Sequence, residues 1–182
     1  CQVCLAEMGD SLLNRGVMTI IAISLTGVAT FLRVFGPERV VYWREASALP
    51  QPRHTIAYFV GKDLAAVPQL LVGPLVFTMA YFALTTPRAS FGEYYSVFFT
   101  VYWCASGFGY LTAILAPPSL AQLLGVTAIS GNAMFAGGQP TLPAMNNKFI
   151  PLRYLPNVSY MRWALEAAYV AEVNNYAEVV AL

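Results

Sequence analysis

Long apolar runs separated by short polar ones set the pattern of this chain. Four such runs occupy residues 16–35, 64–84, 94–116 and 120–137. Each approaches the roughly 20 mostly apolar residues that a membrane-spanning helix needs. In the first run, Ser24, Thr26 and Thr30 are polar residues that a span tolerates. Arg33 can snorkel to the interface, and Gly36-Pro37 stops the helix. The second run holds no charge but contains Pro68 and Pro74, which predict kinks that neighbouring helices relieve. The third is rich in rings, with Tyr94, Tyr95, Tyr102, Trp103 and Tyr110, and Ser106-Gly107-Phe108-Gly109 offers small residues for close packing. Pro117-Pro118 is a tight turn into the fourth run, where Gly125, Ser130, Gly131, Ala133 and Ala136 leave one side thin.

The polar stretches are unequal. Residues 36–54 are charged and aromatic, with ERVVYWREASA at Glu38–Ala48 as their centre. A short interfacial helix is predicted there. Glu38, Arg39, Arg44 and Glu45 stay in water, while Val40, Val41, Trp43 and Ala46 face the membrane or a neighbour. Arg33, Arg39, Arg44, Arg53 and Lys62 are half of the chain's 10 Lys and Arg, so the positive-inside rule puts this loop in the cytoplasm. Residues 140–178 are different again. Their first half is polar and rich in proline, which excludes a fifth span. Val158–Tyr176 is helical by pattern yet carries Arg162, Glu166 and Glu172, with Arg162 and Glu166 on one face. An interfacial or re-entrant helix is predicted, on the outer side with residues 1–15.

Composition agrees. Of 182 residues 58% are hydrophobic and 10% charged, against about 45–50% and 25% in soluble domains. The mean hydropathy is +0.58. The fold class is therefore an all-α, multi-pass membrane protein: a bundle of four spans, an interfacial helix and a re-entrant helix, all within one domain over residues 1–182. The lipid bilayer is its first partner, and which membrane it occupies is open. A net charge of +1 and the lack of any basic-helix, zinc-finger or RNA-binding motif exclude a nucleic-acid role. Residues 1–15 lack the basic start of a signal peptide, and the abrupt ends mark a piece of a longer polypeptide.

Catalytic chemistry finds little to use. Cys1-x-x-Cys4 has no second Cys/His pair to make a metal site, and reads as two thiols or a disulfide in an exposed loop. Cys104 lies in an apolar run and packs there. His54 is the only histidine, and there is no phosphate loop, dinucleotide fingerprint or nucleophile elbow. No catalytic or metal-binding residue is assigned. The spans hold no ionisable residue of the kind that ion-coupled carriers show, so any energy source lies elsewhere. Three readings remain at this level: the membrane half of a driven transporter, an energy-independent permease or channel subunit, or a non-transporting membrane subunit whose charged loop docks a partner.

Several segments, taken together, resemble one family. Asn14-Arg15-Gly16 is similar to the start of its second span. Glu38-Arg-Val-Val-Tyr-Trp-Arg-Glu45 resembles the E-[RK]-x-x-[FY]-x-[RH]-E signature of its first intracellular loop. Ala57-Tyr58-Phe59 through Lys62 to Pro68, Phe135-Ala136-Gly137 and the helix Ser159–Ala167 match further motifs in order and spacing. The family is the ABCG-type (White/pleiotropic drug resistance) membrane domain of ATP-binding cassette transporters. The resemblance covers nearly the whole chain and numbers the four runs as the family's second to fifth spans. It implies an exporter of a lipid or other hydrophobic or amphipathic substrate. It also implies a nucleotide-binding domain of the same polypeptide, outside this chain, which would hold ATP and Mg, and a second half-transporter as homo- or heterodimer partner. Glu38, Arg39, Arg44 and Glu45 are then the coupling surface. Carried over by position, the substrate cavity falls on Ile23, Thr26 and Gly27 of the first run and Ser130, Ala133 and Met134 of the fourth. Near Thr26 this chain has no phenylalanine, and Gly138 and Gln139 stand where some members plug the exit with leucines.

Overall fold

The structure is a computed structural model that describes the backbone of residues 2–36, 39–48, 55–136, 154 and 156–180. Side chains are described for residues 11–36, 40–44, 55–117, 119–136, 154 and 156–174. The described residues form six main helices: α1 (Gln2–Phe35), α2 (Arg39–Ala48), α3 (Thr55–Thr85), α4 (Phe91–Leu115), α5 (Pro118–Met134) and α6 (Tyr160–Val180). There is no strand among them. The chain is an all-α membrane protein, and α1, α3 and α4 are each long and apolar enough to cross a bilayer.

Helix α4 occupies the centre and packs on α1, α3, α5 and α6. Its buried stripe is Tyr94, Phe98, Val101, Ala105, Gly109 and Thr112, the three- and four-residue spacing of one helix face. The answering stripe on α1 is Ile20, Ile23, Ser24, Val28 and Phe31. Lipid is as apolar as leucine, so close contact holds such helices together rather than the hydrophobic effect. A Cβ on Gly109 would stand 3.1 Å from Phe31 Cβ and from the Val28 carbonyl oxygen. A Cβ on Gly125 would stand 2.6 Å from Val28 Cγ1, so α5 also presses directly on α1. Gly107, in the same small-residue run as Gly109, faces open space.

Several boundaries differ from the sequence expectation, and the reasons are physical. Helix α1 runs back to Gln2, through what hydropathy reads as a polar lead, so Cys4 lies on a helix and not in a loop. Helix α3 begins at Thr55, nine residues before the apolar run. A helix continues happily through polar residues at a membrane face, whereas an apolar window stops there. Helix α4 begins at a capping box: Glu93 N–H donates to Ser90 Oγ, and Ser90 N–H donates to Glu93 Oε2. Between α3 and α4, Thr86 takes a positive φ of 43° while its N–H closes onto Phe82 O. Pro118 sits in the first turn of α5, where its missing N–H costs nothing.

The fourth expected span, 120–137, is a helix of 17 residues that ends at Met134. At 1.5 Å per residue it covers about 26 Å, short of a roughly 30 Å hydrocarbon core. Its last carbonyls are met locally: Phe135 N–H bonds Asn132 O and Ala136 N–H bonds Ala133 O. Ser159 Oγ, just before α6, also donates to Asn132 O at 2.9 Å. Helix α6 then starts beside Phe108 of α4, through Tyr160, and runs antiparallel to α4 until Glu172 meets Tyr94 near the start of α4. Helix α6 thus lies along α4 from Phe108 to Tyr94. Met161, Leu165, Ala168 and Glu172 are its buried face. Arg162 turns to Asn157 and lies over the Trp163 ring rather than simply facing Glu166.

Candidate functional site

The end of the bundle where α1 stops and α3 starts also holds the close of α4. We call it the basic end, because Arg33 and Lys62 line one cleft there and α2 carries Arg44 beside it. Rings tie it together. Phe35 stacks on Phe59 at 5.4 Å and meets the Tyr110 ring edge-on at 5.0 Å. Tyr110 donates to Asp63 at 3.1 Å. Helix α2 meets this cluster at Tyr42, which stacks on Tyr58 at 4.6 Å and donates its hydroxyl to Thr55 Oγ1 at 2.9 Å. The rest of the described α2 face is open, with Val40, Val41, Trp43 and Arg44 exposed.

Of the four charged residues expected to couple, Arg44 is exposed on α2. Glu38 lies outside the described residues, as do the side chains of Arg39 and Glu45. The aromatic anchor was not picked out from sequence, although its signal is there. Tyr42 stands inside the charged motif, and Tyr58-Phe59 lies just after the following prolines.

The six positions expected to line a cavity divide. Ile23 is fully buried against the bundle, and a Cβ on Gly27 would stand 3.0 Å from Ala105 Cβ, so both face α4. Thr26, Ser130 and Met134 are exposed, and Ala133 is half-buried. Thr26 Oγ1 donates to Ile23 O and Ser130 Oγ to Val126 O, so both hydroxyls are satisfied within their own helices. Because α1 and α5 are antiparallel, with Val28 against Gly125, Ser130 stands at the depth of Ile23. A cavity of about 320 Å³ opens lower down, between α1 and α5 at the basic end. Ala29, Leu32 and Arg33 line it with Ala121 and Gln122, and Val40 of α2 forms part of its wall. Cys104 is exposed, not packed in the core, and borders a second cavity with Tyr160 and Trp163.

Among the described residues no group of three or more His, Cys, Asp or Glu could hold a metal. What the arrangement offers is a set of spans, a cavity between two of them, and an exposed helix bordering that cavity. The comparison with known families decides what that set is. Residues 1–182, the whole chain, match the family described as ABC-2 type transporter.

The chain belongs to the ABC-2 type transporter family.

Its relatives lie in the ABCG and White group. It is 34% identical over 161 residues, 88% of its length, to "ABC transporter G family member 25" of Oryza sativa subsp. japonica. It is 30% identical over 181 residues to "Putative white-brown complex homolog protein 30" of Arabidopsis thaliana, and 30% identical over 184 residues to "Protein white" of Drosophila melanogaster. The matched region is 15%, 16% and 26% of those three proteins, so the chain spans only a minor part of their length. No solved structure matches it. The chain is thus the membrane part of an ABC transporter, integral and multi-pass.

Proposed function

We propose that this chain forms the translocation pathway of an ATP-driven exporter, with α2 as the transmission element. In this reading a nucleotide-binding domain of the same polypeptide binds ATP and Mg and pushes on Arg39, Arg44 and their neighbours Glu38 and Glu45. Two copies, or two related halves, enclose a path between their α1 and α5 helices, with Thr26, Ser130, Ala133 and Met134 toward it. The cargo is a lipid or another hydrophobic or amphipathic molecule, which suits walls of apolar side chains and internally satisfied hydroxyls.

The observation that carries this reading is the double engagement of α2. Tyr42 fixes it to α3, Val40 borders the α1–α5 cavity, and Arg44 is open on its outer side. A push on the open side would thus reach the cavity wall through a ten-residue helix.

The test is made with the full-length protein reconstituted in liposomes. Arg44→Ala and Glu45→Ala are expected to keep nucleotide binding while substrate-stimulated ATP hydrolysis and ATP-dependent flux fall together. Unchanged coupling in both variants would remove α2 from this role. Flux that persists without ATP would instead favour a permease or channel.

A further inference from the structure

Next to the α5 cavity, and sharing Ala29 and Arg33 with it, lies a larger cleft of about 500 Å³, between α1 and α3 at the basic end. Ala29, Thr30 and Arg33 of α1 line it with Lys62, Ala65 and Gln69 of α3. Its charged lining, among the described residues, is Arg33 and Lys62 alone, so it is a doubly cationic pocket. The neighbouring carboxylate, Asp63, accepts the Tyr110 hydroxyl toward α4 and does not line the cleft. Gln69 and Thr30 add polar groups beside the two cations.

The surface leading away from the cleft is apolar. Ala65 and Gln69 continue up α3 into Val72 and Val76, each on the same face at three- or four-residue steps and each exposed. On α1 the exposed residues Ala29, Ala22 and Met18 follow at four- to seven-residue steps. A cationic pocket at the end of an apolar groove fits a ligand with a negative head and hydrocarbon tails. A soluble phosphate would use the pocket and leave the groove empty. Basic pockets between spans at the cytoplasmic face suit anionic lipid headgroups.

We propose that the α1–α3 cleft is a binding site for an anionic phospholipid of the inner leaflet, with Arg33 and Lys62 holding its phosphate and the α3 stripe Val72–Val76 holding an acyl chain. The site shares Ala29 and Arg33 with the cavity between α1 and α5, whereas Lys62, Ala65 and Gln69 belong to it alone, so Lys62→Gln tests it apart from that cavity. It requires that the basic end faces the cytoplasm and not that the exporter reading is right.

The experiment uses full-length protein in nanodiscs, with spin-labelled phosphatidylserine and spin-labelled phosphatidylcholine compared as probes. The motionally restricted fraction gives the relative association of each lipid. Phosphatidylserine is expected to be preferred. Arg33→Gln and Lys62→Gln should each lower that preference by about fivefold, the effect of one cation near an anionic surface. Arg33→Lys should keep it, and Arg88→Gln, beyond the far end of α3, should not change it. Should Arg33→Gln fail to fold, Lys62→Gln carries the test by itself. Equal preference in wild type and Lys62→Gln would overturn the site. Loss of the preference on adding inorganic phosphate, but not chloride at matched ionic strength, would overturn the lipid and assign the pocket to a soluble phosphate.

Discussion

Rings join the helices at both ends of the bundle, Phe35, Tyr58, Phe59 and Tyr110 at the basic end and Tyr81, Phe82, Tyr94 and Phe98 at the other. The tyrosine–carboxylate bond, however, is exposed at Asp63 and buried at Glu172. Phe35, Tyr58, Phe59 and Tyr110 contact one another over centroid distances of 5.0 to 6.4 Å, at angles from stacked to edge-on. At the far end Tyr94 donates to Glu172 at 2.7 Å, and Glu172 is 7% exposed. Ring contacts lose little energy as they slide, since offset and edge-on pairs are close in energy. A buried hydrogen bond to a carboxyl group is made or broken, and a broken one leaves a costly orphan. The exposed Tyr110–Asp63 bond can exchange for water as the rings shift beneath α2, whereas the buried Tyr94–Glu172 bond holds α6 in one place.

The strongest way to break this comparison is Phe35→Ala. Phe35 is 6% exposed and touches three rings, so its loss should cost about 3–5 kcal/mol, read as a drop in melting temperature in detergent. A loss below 1 kcal/mol would show that the ring cluster does not hold this end. Next, Tyr94→Phe removes the partner of Glu172 and should cost about 1–3 kcal/mol, whereas Tyr94→Phe with Glu172→Leu should recover much of it. Failure of the second change to rescue would mean that the bond is incidental. A smaller effect is expected from the Tyr42–Tyr58 pair. A double-mutant cycle to alanine should give a coupling of about 0.5–1.5 kcal/mol, and zero would detach α2 from the cluster. The smallest concerns neither end in particular: Thr86→Gly should stabilise by up to about 1 kcal/mol, because a β-branched residue is strained at positive φ.

Much of this fold is legible in the chain. The apolar runs locate the cores of α1, α3 and α4, because only helices can satisfy a backbone in lipid. The charged segment at Glu38–Ala48 is recognisable for the opposite reason, as polar residues that cannot enter. Legibility fails where polarity and burial part company. Glu172 reads as a solvated charge, and its burial depends on Tyr94, which is 78 residues away in the chain. Gly107 and Gly109 look alike in sequence, yet only Gly109 meets α1. The early end of α5 is hidden because 135–137 continue the apolar run while Ser159 supplies the hydrogen bond that lets the helix stop. Of the candidate site, the short helix α2 was readable as a polar segment between two apolar runs. The ring cluster beneath it needed the fold, since Phe35, Tyr58 and Tyr110 come from three helices.

The unbroken length of α1 has a mechanical side. Its 34 residues form a rod of about 51 Å, well beyond the hydrocarbon thickness of a bilayer. Its tightest contacts, near Gly27 and Val28, lie in its lower half and form a natural fulcrum. The arm above that fulcrum is about 38 Å long and the arm below it about 12 Å, at 1.5 Å per residue. A displacement imposed at Phe35 would be carried up the long arm in the opposite direction, where Gly16 meets Leu165 of α6.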